Sequence, residues 1–225
     1  MRNFKALFFD IDGTLVSFNT HRIPDSTVQA LRAARQKGVM VFISTGRPIH
    51  IINNLGQIDD LIDGYITTNG AYCFIGKEQV CMNAISEDEV AVIMDACRQW
   101  DRPIVMSGKD DVAVFNYKQD VDDIFNKWLG VSCIDYSLPA ERLLCKPILQ
   151  MTPFISPSQE EELMALLPGC TSGRWTPQFT DITCSKADKG KGLAAMARHL
   201  GFDIHDTMAF GDGGNDTPIL RAAGI

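Results

Sequence analysis

At 225 residues the chain is about one and a half domains long, which suits one core carrying a large insertion or two small domains. With 45% hydrophobic and 22% charged residues it reads as an ordinary globular chain, which excludes collagen-like, disordered and mini-protein classes. Of the net charge of -7, nearly all the excess acid lies in the middle, with 16 acidic against 8 basic residues over 81–183 and 12 against 13 elsewhere. An acidic middle repels polyanions, so nucleic acid is not the expected partner.

No apolar run exceeds five residues, and Met1-Arg2-Asn3 leads straight into a strand-like segment. Neither a membrane span nor a signal peptide is expected, and the expected location is cytoplasmic. The seven cysteines, Cys73, Cys81, Cys97, Cys133, Cys145, Cys170 and Cys184, form an odd set with irregular gaps and no C-x-x-C pair. That argues against a disulfide framework or a zinc site and for reduced, mostly buried thiols.

In chain order, the apolar run FKALFFDI at 4–11 predicts a buried parallel strand. A helix follows from about Pro24, with Asp25 and Ser26 as capping candidates, Val28 and Leu31 on one side and Gly38 as its stop. VMVFIS at 39–44 and YITT at 65–68 predict two more strands, closed by Thr45-Gly46 and Asn69-Gly70. This alternation is that of an α/β, Rossmann-like parallel sheet with helices on both faces.

Past residue 80 the rhythm changes. A capping box at Ser86-x-x-Glu89 opens a helix to about Trp100, with strands near 104–106 and 112–116 and a helix near 121–129. A strand near 147–154, a helix from Ser158 to Leu167 and a strand near 179–183 complete an inserted α+β module. The first rhythm returns with a helix from Gly190 to about His199, the strand TMAF at 207–210 and a helix after Asp216. The expected domains are therefore a discontinuous core, 1–80 and 184–225, and an insertion over 81–183.

Four clusters carry chemistry. Asp10 and Asp12 flank Ile11 at the carboxyl end of the first strand, where residues two apart face the same side of the ligand crevice of an open α/β sheet. Ser44-Thr45-Gly46-Arg47-Pro48 ends the second strand with a hydroxyl and free backbone N–H groups suited to a phosphate oxygen. Asp188-Lys189-Gly190-Lys191-Gly192 sets a lysine at a helix start; Lys189, directly before the first glycine, is the chosen anion partner, leaving Lys191 to solvent. Phe210-Gly211-Asp212-Gly213-Gly214-Asn215-Asp216 packs two acids and an amide into a glycine-rich turn whose hard oxygens suit magnesium. All four lie at strand ends or helix starts of one inferred sheet, so their side chains can meet.

DIDGT, STGR, DKGKG and GDGGND, in that order with a long insertion between the second and third, resemble the four motifs of the haloacid dehalogenase superfamily. More narrowly, they resemble its Cof-type sugar-phosphate phosphatases, whose α/β cap is inserted at that place. The resemblance implies a magnesium-dependent phosphohydrolase working through an aspartyl-phosphate. Asp10 would be the nucleophile and Asp12 the general acid and base. The Asp10 carboxylate, the Asp12 backbone carbonyl and Asp212 would hold the metal, with Asp216 supporting it through water or Lys189. Thr45, Gly46 and Lys189 would bind phosphoryl oxygens, and Asn215 would orient them. The cap would choose among small phosphorylated metabolites, with Asn69, Gly70, Arg47, Arg174, Trp175 and Asp181 as candidate substrate contacts; Trp175 is equally a core aromatic of the insertion, and Arg47 and His50 equally helix-start residues.

Family members continue past the fourth motif through another strand and helix, so the resemblance implies that the chain ending at Ala223-Gly224-Ile225 lacks them and exposes a sheet edge. A monomer or weak homo-oligomer without membrane contact is expected. Two other readings stay open: a phosphosugar mutase or phosphotransferase, and a catalytically impaired phosphometabolite-binding module.

Overall fold

The computed structural model describes residues 4–137 and 139–225. In chain order the elements are β1 (Ala6–Phe9), α1 (Asp25–Gln36), β2 (Met40–Ser44), β3 (Gly64–Thr67), β4 (Tyr72–Ile75) and β5 (Glu78–Met82). There follow α2 (Glu87–Gln99), β6 (Ile104–Gly108), β7 (Val112–Phe115), α3 (Gln119–Asp122) with a wider helical turn over Asp123–Trp128, β8 (Ile148–Pro153) and α4 (Pro157–Met164). The chain ends with β9 (Cys170–Gly173), β10 (Asp181–Cys184), α5 (Lys189–Leu200), β11 (Thr207–Phe210) and α6 (Thr217–Ala222). Among the described residues no helix is long and apolar enough to cross a membrane.

The chain divides into two compact units, residues 1–47, 53–82 and 187–225, and residues 48–52 and 83–186. These limits differ by two or three residues from the expected ones at 80/81 and 183/184, and the short segment 48–52 belongs with the inserted unit. The reason is packing: Ile51 is buried in an inserted-unit cluster with Val105, Val114, Phe154 and Phe179. His50 is tied there too, its Nε2 lying 2.7 Å from the Lys109 carbonyl oxygen. A residue beside the second motif thus serves the other unit's structure.

The first unit is built on a six-stranded sheet of order β11-β1-β2-β3-β4-β5. β11, β1, β2 and β3 run parallel, while β4 and β5 turn antiparallel. Helix α5 and α6 cover one face, placing Leu193, Met196 and Ile219 against Ala6, Phe8, Phe42 and Ile66. Phe8 and Phe42 stack at 4.8 Å within this layer. Strands buried on both faces have no polar side to alternate with, which is why β1 and β2 read as continuous apolar runs.

The β4–β5 hairpin was not expected from the sequence; Gly76, at φ 56°, makes its turn, and its half-exposed second strand, EQVCM, lacks a strong apolar signal. Strand β9, CTSG, escaped for a similar reason: it has little β-propensity and is ordered by pairing with β10. Helix α1 has Pro24 at its N-cap and no side-chain cap; Asp25 lies inside its first turn.

The inserted unit carries a five-stranded antiparallel sheet of order β7-β6-β8-β10-β9. Helix α2 starts at Ser86, whose hydroxyl accepts from the Glu89 N–H, the cap that the sequence predicts. Its buried face, Val90, Ile93, Met94 and Cys97, packs with Met106, Met151, Leu163 and Ile182 from the sheet and α4.

Candidate active site

β1 ends at Phe9, and the Asp10 N–H continues the ladder by donating to Phe210 O at 3.0 Å. The chain then folds into a tight turn in which the Leu15 and Val16 N–H groups donate to the Asp10 and Ile11 carbonyls. Gly13 makes the turn at φ 92°, and a Cβ there would stand 2.3 Å from Asp212 Oδ2. Both the backbone and the close carboxylate demand glycine. The next residue, Thr14, donates its hydroxyl to Asp212 Oδ1 at 2.8 Å, so the first motif positions an acid of the fourth.

Lys189, the first residue of α5, is fully buried. Its Nζ donates to Asp10 Oδ1 at 2.7 Å and to Asp216 Oδ1 at 2.5 Å. The other Asp216 oxygen, Oδ2, accepts from the Asp212 and Gly213 N–H groups at 3.1 and 2.9 Å. Gly211 makes room, since a Cβ there would lie 2.4 Å from Asp216 Cγ. Lys191 instead pairs with Asp188 on the surface. The Asp188 side chain caps α5 by accepting from the Lys191 N–H.

The Asp10, Asp212 and Asp216 carboxylates each offer an oxygen, all within 4.8 Å of one another. One lysine faces this acidic group, and the local balance is negative. Burial is the main cause that pushes Asp10 up to about 6; Lys189 pulls it down, while Asp216 and Asp12 push it further up. A cluster of hard carboxylate oxygens with a net negative charge suits a hard divalent cation.

Asp12 is held by a fork. Arg47 donates from Nε to Asp12 Oδ2 at 2.7 Å and from an amino nitrogen to Oδ1 at 2.9 Å. Such a bidentate pair fixes the plane of the carboxylate as well as its position. The sequence names Arg47 as a substrate contact or a helix-start residue; the pair with Asp12, 35 positions away, needs the sheet to bring β1 and β2 side by side.

Thr45 is buried and directs its Oγ1 to the Arg47 N–H at 3.0 Å. Asn69 sits at φ 52°, ψ 34° after β3 and its Oδ1 accepts from Asn215 Nδ2 at 3.0 Å. Gly46 lies against this pair, with room for a Cβ only 3.1 Å from Asn69 Oδ1. Gly70, at φ 91°, passes so close to α5 that a Cβ would meet Asp188 O at 2.2 Å. The structure thereby brings together Asp10, Asp12, Arg47, Lys189, Asp212 and Asp216, and a neighbouring amide pair that links the second, third-strand and fourth segments. Gly13, Thr14 and Gly211 are further positioning residues; their signal in the sequence is only adjacency to the motif acids.

The three remaining candidates belong to the inserted unit. Arg174 is committed internally: it donates to Glu160 Oε2 at 2.6 Å and to the Ile155 and Pro177 carbonyls at 2.8 and 3.0 Å. Trp175 is about half exposed, stacks on Trp128 at 5.9 Å and donates Nε1 to Asp181 Oδ2 at 3.3 Å. Asp181 Oδ1 accepts from Thr152 Oγ1 at 2.7 Å and Gln150 Nε2 at 3.0 Å. Burial pushes its carboxyl up to about 6.

The lysine-bridged acid cluster lies at the carboxyl ends of the parallel strands, where an open Rossmann-like α/β sheet forms its ligand crevice. The family model for haloacid dehalogenase-like hydrolases matches residues 7–225. The chain belongs to this family, in its Cof-type branch, and is a phosphatase. It is similar to the solved HAD subclass IIB sugar phosphatase BT4131, with 47% identity and a TM-score of 0.92 over 98% of this chain and 85% of that one. The solved phosphatase BT1666 from Bacteroides thetaiotaomicron is 30% identical with a TM-score of 0.86, over 100% and 83%. The HMP-PP phosphatase of Klebsiella pneumoniae (strain 342) is 26% identical over 234 residues, 98% of this chain and 82% of its own length.

Proposed function

We propose that the protein is a magnesium-dependent phosphatase of small phosphorylated metabolites, with sugar phosphates as the favoured class, acting through an aspartyl-phosphate on Asp10. The observation that carries this reading is the convergence on buried Lys189 of Asp10 and Asp216, 179 and 27 residues away in sequence, beside Asp12. The sugar-phosphate class is supported by the resemblance to BT4131, itself a sugar phosphatase.

In this reading the Asp10 carboxylate attacks phosphorus and the bond to the leaving alkoxide breaks. Asp12 gives its proton to that alkoxide, then takes one from water as the water oxygen attacks phosphorus and frees Asp10. Arg47 orients Asp12 for both transfers. Lys189, Thr45 and the Gly46 N–H bind phosphoryl oxygens, and Asn215, held by Asn69, orients them. Asp10, the Asp12 carbonyl and Asp212 would hold magnesium, supported by Asp216, and the ion would neutralise charge on the phosphoryl oxygens. Phosphoryl transfer asks mainly for positioning and charge neutralisation, and the acid–lysine cluster is suited to that task.

Substrate choice is assigned to the inserted unit, with half-exposed Trp175 as the candidate contact and Arg174 and Asp181, both held within the unit, as the residues that shape its loop. The enzyme is read as cytoplasmic, acting as a monomer or weak homo-oligomer. The test is phosphate release across a panel of sugar phosphates with and without magnesium. Wild-type protein should show magnesium-dependent release and Asp10→Asn none, with Asp12→Ala crippled in both steps while magnesium still binds. Ordinary turnover by Asp10→Asn, or full activity in chelator, would overturn the mechanism.

A further inference from the structure

Four of the seven cysteines face each other across antiparallel ladders. Cys73 of β4 stands opposite Cys81 of β5, and Cys170 of β9 opposite Cys184 of β10. All four are free thiols. Directly opposed residues share a face with Cα atoms about 4.5–5.5 Å apart, inside the roughly 4.4–6.8 Å that a disulfide spans. Both pairs therefore have the backbone geometry for a bond, and their surroundings decide which one reacts.

Cys81 lies on β5, the edge strand of its sheet, and is half-buried. Cys73 is fully buried beneath α5, where the missing side chain of Gly192 leaves space: a Cβ there would lie 3.2 Å from Cys73 Sγ. The Cys73 thiol donates to the Gly70 carbonyl oxygen at 3.8 Å. The neighbouring Cys73 side chain holds the Cys81 thiol below its ordinary range, while proximity to Cys81 and burial push Cys73 up. The pair thus has one half-buried thiol on an edge strand and one buried thiol directly opposite it.

The second pair lacks this asymmetry. The Ser185 N–H donates to Gly169 O at 2.8 Å, so the adjacent Cys170–Cys184 position is a non-hydrogen-bonded pair with close side chains. Both its thiols are buried, and burial with the nearby Glu89 carboxylate pushes Cys170 up to about 12. Neither is placed to attack a dissolved oxidant.

We propose that Cys73 and Cys81 form a redox-active dithiol that closes reversibly to a cross-strand disulfide on meeting a low-molecular-weight disulfide such as oxidised glutathione. The Cys81 thiolate attacks one sulfur of the small disulfide; the S–S bond breaks and one small thiol leaves, taking up a proton. Cys73 then loses its proton to solvent and attacks the Cys81 sulfur of the mixed disulfide, expelling the second small thiol. Two protein thiols are oxidised, one small disulfide is reduced to two thiols, and β5 becomes bonded to β4 beneath the helix that carries Lys189.

The native protein is incubated with oxidised glutathione, quenched in acid, unfolded, alkylated and digested. Lys77 lies between the two cysteines, so trypsin yields two peptides joined through the bond and separated by dithiothreitol. Cys81→Ser leaves Cys73 reduced, whereas Cys73→Ser stops with one glutathione on Cys81. In unmutated protein, phenylarsine oxide, which needs two adjacent thiols, shields Cys73 and Cys81 together from alkylation. The proposal is overturned if both remain alkylable while exposed Cys133 and Cys145 have gained glutathione, if the arsenical gives no joint protection, or if Cys170–Cys184 closes at the same rate.

Discussion

Asp10 in the first unit and Asp181 in the inserted unit are both buried and both pushed up to about 6, yet they are accommodated in opposite ways. Asp10 faces a buried lysine and two further acids, so its environment is ionic and carries a surplus of negative charge. Asp181 meets only neutral donors, Thr152, Gln150 and Trp175. An acid in the first setting lies in a surplus of negative charge that suits a cation, whereas one in the second is a polar centre of a packed sheet that ionises with difficulty. The raised value alone does not separate the two; the partners do.

The sharpest way to break the contrast is Lys189→Met, which strips the cation that pairs with both Asp10 and Asp216. Leaving buried acids uncompensated should cost about 3–5 kcal/mol, read as a lower urea midpoint, together with loss of phosphate release. Unchanged stability would mean that the two acids are already balanced without the lysine.

Asp181→Asn tests the other side. Because the folded carboxyl is raised above its unfolded value, its stabilising contribution is complete below about pH 3.8 and is lost as pH climbs to about 6. The wild type should therefore lose up to about 3 kcal/mol relative to Asp181→Asn across that window, with a constant difference above it. Unfolding midpoints at a series of pH values check this, and a flat difference throughout would refute the assignment. The Asn variant keeps an acceptor for Thr152, so the fold should survive.

Gly13→Ala should cost about 2 kcal/mol, since the residue must hold φ 92° and its Cβ collides with Asp212. The added methyl displaces an acid of the cluster, so magnesium affinity measured by calorimetry should fall more steeply than stability. Smallest is Arg47→Lys, which retains charge and loses the fork on Asp12. About a tenfold fall in kcat is expected; a change confined to KM would make Arg47 a substrate contact instead of a positioning residue.

The local parts of this molecule were legible in the chain. β1 and β2 announce themselves because a strand buried on both faces must be mostly apolar, and β3 and β11 because short apolar-rich runs end in glycine turns. The Ser86 cap and the Asp188-Lys189-Gly190 helix start are likewise written within a few consecutive residues. The acids of the first and last motifs could be picked out because glycines and strand ends surround them.

What the sequence by itself determined, then, is the alternation of the core, the place of the insertion and the residue types of the acid cluster, all of them encoded in short windows of pattern. Only the tertiary structure decided which of these residues touch. Sheet order carries Arg47 to Asp12, sheet register sets Cys73 opposite Cys81 and Cys170 opposite Cys184, and packing turns Arg174 inward to Glu160. Local pattern specifies which face a residue takes, whereas its partner across the sheet depends on register and strand order, which are fixed only when the whole core is buried at once.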